Sequence, residues 1–149
     1  MNRCNEIVCR VIIHAPPETV WAVVRDISSH VSWMADAESI TFTSALTEGV
    51  GTEFDCVTKI GPISLVDKMR VDSWDEGWSM GVSHVGVVTG VGEFRLRHAG
   101  DGATEFTWRE QLTFPWWLAG QAGFLVAGRW VLTAIWRGNL RRLKKIIEA

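Results

Sequence analysis

From Glu6 to His14 the chain alternates, with Ile7, Cys9, Val11 and Ile13 on one face and Val8, Arg10, Ile12 and His14 on the other, the period of a β-strand. APPETVWAVVRDI then switches to helical spacing: two prolines open a helix, Glu18 falls in its first turn, and Val20, Trp21, Val24 and Ile27 recur on one side. The serine pair in SSHVSWMAD suits an N-cap and predicts a second short helix ending near Ala35. Six further strands are expected near 38–45, 51–60, 63–73, 77–85, 88–98 and 103–113, separated by EGVG, GP, DEG and AGDG. After Pro115 the period changes again, to one long helix reaching the C-terminus.

Strand, two short helices, six strands and a long helix make an α+β domain whose sheet must bury one face against the only element long enough to cover it. With 149 residues, 47% of them hydrophobic, the chain has the size of a single domain, 1–149. Residues 116–136, WWLAGQAGFLVAGRWVLTAIW, hold four of the nine tryptophans and one charge, Arg129, which is long and apolar enough to raise the question of a bilayer span. An amphipathic tail continues the same stripe through Ile147, so the helix is expected to be gripped by the sheet, with no transmembrane segment.

Charge and cysteine usage narrow the partners. Lys and Arg number 15 against 17 Asp and Glu, a net charge of −2 with no basic excess for a nucleic-acid backbone, so no nucleic-acid partner is expected. Cys4, Cys9 and Cys56 are odd in number and lack a paired spacing, which fits reduced thiols. The N-terminal segment has no continuous apolar run of the secretory type, and a cytoplasmic location is expected.

VIIHAPPETVWAVVRDISSHVSW, VGT at Val50 to Thr52, GATEFTW at Gly102 to Trp108 and the closing LRRLKKIIE occur in the order of the START/Bet v 1-like (SRPBCC) superfamily. The chain resembles in particular its polyketide cyclase/dehydrase-like branch. That resemblance implies a helix-grip (Bet v 1-like) fold: a curved seven-stranded antiparallel sheet around a long C-terminal helix, two short helices after strand 1, and a ligand cavity between sheet and helix. It implies little about chemistry, because members include carriers, receptors and cyclases.

Alternation selects the inward residues independently: Phe54, Cys56 and Thr58; Leu65, Asp67, Met69 and Val71; Trp78, Met80, Val82 and His84; Gly90, Gly92, Phe94 and Leu96; Thr104, Phe106, Trp108, Glu110 and Leu112. At 100° per residue Leu118, Ala122, Leu125, Arg129, Leu132, Trp136, Leu140, Leu143 and Ile147 share the inner stripe of the helix. Expected ligand-contacting residues are Phe54, Cys56, Met69, Met80, His84, Phe94, Phe106, Trp108, Leu132 and Trp136. Gly90 and Gly92 hint at unfilled space, and serve equally as close-packing sites.

Buried acids carry the most information, since an unpaired buried carboxylate is costly. Arg129 is expected to pair with Glu110, Asp67 or both, with His84 near the rim; the alternatives are a purely structural ion pair, or an arginine that leaves the cavity end and touches neither acid. In a cyclase or dehydratase of the kind the resemblance suggests, Glu110 or Asp67 would move a proton and Arg129 would polarise a carbonyl. GVVTGVGEF opens no helix and is no phosphate loop, the four histidines form no metal-ligand pair, and neither a metal nor a cofactor is expected.

Three functions compete at this point. The first is binding of a small hydrophobic or aromatic ligand (polyketide, lipid or isoprenoid-like), with or without chemistry. The second is a noncatalytic lipid or quinone carrier that touches a membrane transiently through Trp116, Trp117 or Phe124. The third makes the outer helix face at Phe124, Val131 and Ile135 a homodimer contact.

Overall fold

A computed structural model describes residues 6–118 and 127–149. Strand β1 (Glu6–Ile13) leads into helix α1 (Pro17–Val24) and a 3₁₀ turn at Ile27–Ser32. Six strands follow: β2 (Ala37–Phe42), β3 (Glu53–Ile60), β4 (Ile63–Asp75), β5 (Ser79–Val85), β6 (Thr89–His98) and β7 (Thr104–Thr113). A short 3₁₀ piece at Trp116–Leu118 precedes the C-terminal helix α2 (Arg129–Ile147). All neighbouring strands are antiparallel, in the order β1-β7-β6-β5-β4-β3-β2, so the first strand lies beside the last. This is the helix-grip fold expected from the sequence.

Local chemistry accounts for the elements. Pro17 occupies the first turn of α1, where a missing N–H costs nothing, and Pro17, Val20, Trp21 and Val24 form its buried face. The expected second helix is the six-residue 3₁₀ turn, which buries Ile27 and His30. Gly61 and Gly77 supply the positive φ required by the turns after β3 and β4. On β7 the alternation is complete, with Thr104, Phe106, Trp108, Glu110 and Leu112 all buried. Trp78 departs from the expected inward face: it precedes β5, is 38% exposed and packs edge-on against His98.

Helix α2 buries Leu132, Trp136, Asn139, Leu140 and Leu143. Asn139 is a polar residue on this apolar face, and both its amide oxygen and its amide nitrogen find partners. Its Oδ1 accepts the Ala35 N–H at 2.9 Å and Arg142 Nη1 at 2.9 Å, while its Nδ2 donates to Asp36 Oδ1 at 2.8 Å. Trp136 Nε1 donates to the other oxygen of Asp36 at 3.3 Å. These bonds tie α2 to the segment ahead of β2, closing the space between helix and sheet at that end. Ala122, Leu125 and Phe124 lie outside the described residues; Val131 is exposed and Ile135 packs on the edge of the core. Among the described residues no helix is long and apolar enough to cross a membrane.

Candidate functional site

Between the sheet and α2 lies a cavity of about 140 Å³, walled by apolar side chains from β3 to β7 and by Leu132 and Trp136 of α2. That free volume matches a cavity that holds a benzene-sized ring, below the range typical of drug-sized pockets. Met34, Met69 and Met80 line it, and unbranched thioether side chains yield more readily than β-branched ones. Trp108 and Trp136 stack on one another in its wall, with ring centroids 4.9 Å apart and planes 22° from parallel.

Its polar feature is a line of three side chains. His84 on β5 stands between Asp67 on β4 and Glu110 on β7: Nδ1 lies 2.9 and 3.0 Å from the two Asp67 oxygens, and Nε2 lies 3.0 Å from Glu110 Oε2. Trp108 Nε1 donates to the remaining Glu110 oxygen at 2.9 Å. Strand register explains the meeting. Met69 is the partner of His84, so Asp67 is its diagonal neighbour on the same face. Glu110 must cross β6 to reach His84, and it crosses at Gly92, its own register partner.

Burial of His84 opposes its protonation, but hydrogen bonds to Asp67 and Glu110 and the charges of both outweigh it and push the pKa up to about 10. The ring is therefore an imidazolium at neutral pH, donating from both nitrogens. One cation between two acids leaves the trio with an excess of negative charge. His30, also on the cavity wall, behaves in the opposite way. Burial lowers its pKa to about 4, and Nε2 donates to the Val24 carbonyl at 2.7 Å, leaving Nδ1 without a proton.

Arg129 does not take the place expected for it. It is exposed at the first turn of α2 and does not border the cavity; the cation between the two acids is His84. The helical stripe fixes the angle of a residue about the axis and leaves open how far along that axis the sheet reaches. At the end of the stripe a guanidinium extends into water at little cost. Phe106 is the second correction: it is completely buried against Trp33 and Phe94, behind the cavity wall. Phe54, Cys56, Met69, Met80, His84, Phe94, Trp108, Leu132 and Trp136 do line the cavity, together with Asp67 and Glu110. Sequence reasoning missed Asp36 and His30. Nothing marked Asp36, but a histidine between Ile27 and Trp33 is a polar residue in an apolar cluster.

Gly90 and Gly92 are close-packing sites. A Cβ on Gly92 would meet the Glu110 carboxylate at 2.5 Å, and at Gly90 (φ +136°) a Cβ would collide with the backbone of Gln111. Cys56 is buried, its thiol pushed up to about 11 by burial, and it accepts a weak bond from Thr58. A protonated, buried thiol is no nucleophile.

The fold and the cavity agree with the comparison to known families. The family described as polyketide cyclase / dehydrase and lipid transport matches residues 6–148. The chain belongs to this family. Solved structures place it in the same fold. An aromatase/cyclase, Zhui, from Streptomyces sp. R1128 is 19% identical with a TM-score of 0.72, over 96% of this chain and 93% of that one. A protein from Thermus thermophilus is 18% identical with a TM-score of 0.75, over 95% and 96%. A START superfamily protein from Mycobacterium smegmatis is 14% identical with a TM-score of 0.67, over 93% and 98%. No curated protein sequence matches the chain.

Proposed function

We propose that the protein encloses a small hydrophobic or aromatic ligand, polyketide, lipid or isoprenoid-like, between the sheet and α2, anchored by Asp67, His84 and Glu110. The observation that supports this most is the coexistence, in one largely apolar cavity, of stacked tryptophans and a buried charged trio on the wall. A folding core has no use for unfilled volume beside charged groups, whereas ligand pockets combine an apolar wall with a few fixed polar groups. The 140 Å³ of free volume suits one ring, so a larger ligand enters ring first and displaces the methionine side chains.

If the ligand is also transformed, a cyclase or dehydratase-type proton transfer falls to Asp67 and Glu110, with His84 holding the proton between them. The Zhui aromatase/cyclase shares the fold. The test is to purify the protein from cells, denature it and identify extracted small molecules by mass spectrometry. An apolar ligand that is depleted in Glu110→Gln and kept at the wild-type level in Arg129→Leu is expected; a preparation that carries and takes up none overturns the proposal. Chemistry is tested on the recovered ligand, whose turnover should stop in Glu110→Gln while a fraction of binding survives.

A second reading, a noncatalytic carrier that collects a lipid or quinone at a membrane, rests on Trp116, Trp117 and Trp130, which are 86%, 55% and 77% exposed. Tryptophan favours the membrane interface. Cosedimentation with phospholipid vesicles, reduced in Trp116→Ser with Trp130→Ser, separates this reading from the first.

A further inference from the structure

Counting donors and acceptors on the cavity wall narrows the ligand. His84 gives both of its N–H groups to Asp67 and Glu110, Trp108 gives its indole N–H to Glu110, and Trp136 gives its own to Asp36. His30 gives its single proton to the Val24 carbonyl. Among the described residues no lysine or arginine borders the cavity, and residues 119–126 contain no ionisable side chain. The buried donor without a partner, Trp33 Nε1, lies in the core and does not border the cavity.

The acceptors are far from exhausted. A carboxylate has about four lone-pair sites, and each acid on the wall has filled only part of its set. Among the described residues the wall thus offers unfilled acceptors with excess negative charge, and its one loosely held side-chain donor is the Thr58 hydroxyl, which makes only a weak 3.8 Å bond to the Cys56 sulfur. A ligand carboxylate entering it would meet the like charges of Asp67 and Glu110. An ether or ketone oxygen beside Asp67 and Glu110 would lose its water and gain no bond there. A hydroxyl would donate to Asp67 or Glu110 in a charge-assisted bond.

We propose that this cavity selects ligands whose buried polar end is a hydrogen-bond-donating hydroxyl, a hydroxylated aromatic ring above all, and rejects carboxylates. The inference rests on the ligand-enclosing role proposed above and adds the chemical class. The ring requirement comes from the ring-sized volume and the stacked Trp108 and Trp136; the hydroxyl requirement comes from the donor count.

The test uses three probes of one shape, 2-naphthol, 2-methoxynaphthalene and 2-naphthoate, titrated into the full chain by isothermal calorimetry and tryptophan fluorescence. 2-Naphthol is expected to bind about tenfold or more tighter than the methyl ether, the range of a hydrogen bond to a charged acceptor. 2-Naphthoate is expected to be weaker than both. Asp67→Asn and Glu110→Gln place an amide donor on the wall and should shrink the naphthol advantage while improving naphthoate. Equal binding of naphthol and its ether, or tight binding of naphthoate, overturns the selectivity with the ligand-enclosing role intact. Binding of none of the three overturns both. The wild-type comparison needs no variant, so a misfolded mutant leaves the outcome readable.

Discussion

Gly92 and Glu110 face each other across β6 and β7, and the space that a side chain on the first would take is filled by the carboxylate of the second. Glu110 reaches His84 only because Gly92 lies flat beneath it. Gly92→Ala is therefore expected to push the carboxylate off His84. Overpacking of this kind costs about 1–3 kcal/mol. A specific readout accompanies the loss: the His84 pKa, followed by side-chain NMR, should fall from its raised value. A His84 pKa that stays raised in a destabilised Gly92→Ala would show that the two residues are not coupled.

The two buried histidines give the protein opposed pH limbs. His84 is raised from its ordinary 6.5 to about 10, so between those values the native chain holds a proton that the unfolded chain has released. Its contribution is complete below 6.5 and is lost as the pH rises through 10, with a slope of up to about 1.4 kcal/mol per pH unit. His30 is lowered to about 4, so its contribution is complete above 6.5 and is lost as the pH falls through 4. Urea midpoints measured from pH 4 to 10 should peak near 6.5. His84→Gln should flatten the alkaline limb, and a limb that survives it has another source.

Asn139 is 0% exposed and joins α2 to the segment before β2. Asn139→Leu has a similar volume and leaves the Ala35 N–H and an Asp36 oxygen unpartnered. Both groups are only partly buried, and each lost bond costs about 1 kcal/mol, so a loss of about 1–2 kcal/mol is expected by urea denaturation. Stability unchanged by this substitution would mean that water replaces the amide.

Cys56 lines the cavity as a protonated thiol with a pKa of about 11. Its reaction with a disulfide reagent at pH 7.5 should be slower than that of a free thiol by two orders of magnitude or more, roughly the ratio of thiolate fractions. Ligand in the cavity should slow it further. A fast reaction would mean that the cavity opens frequently.

Much of this geometry is legible in the alternation of residues. Period two places Asp67, His84 and Glu110 on the inner face of three strands, and turn glycines mark most breaks. The partner of the acids is less legible, because a face is a one-dimensional property and a contact is not. Arg129 has the correct angle about its helix and lies too near its end. His84 has the correct face, and its place between two acids depends on diagonal neighbours and on a glycine in the strand between. Asn139 was findable: it stands three residues after Trp136 and four before Leu143, a polar residue on the buried stripe.

The pairing of β1 with β7 sets a condition on how the chain folds. Glu6 finds its partner at Gln111 and Ile13 at Thr104, so β1 cannot zip until nearly the whole meander exists. Such non-local closure is slow, typically milliseconds to seconds. A chain emerging from the ribosome carries Ile7, Cys9 and Ile13 exposed and unpaired through the synthesis of six other strands, which makes its first strand the segment most in need of a chaperone.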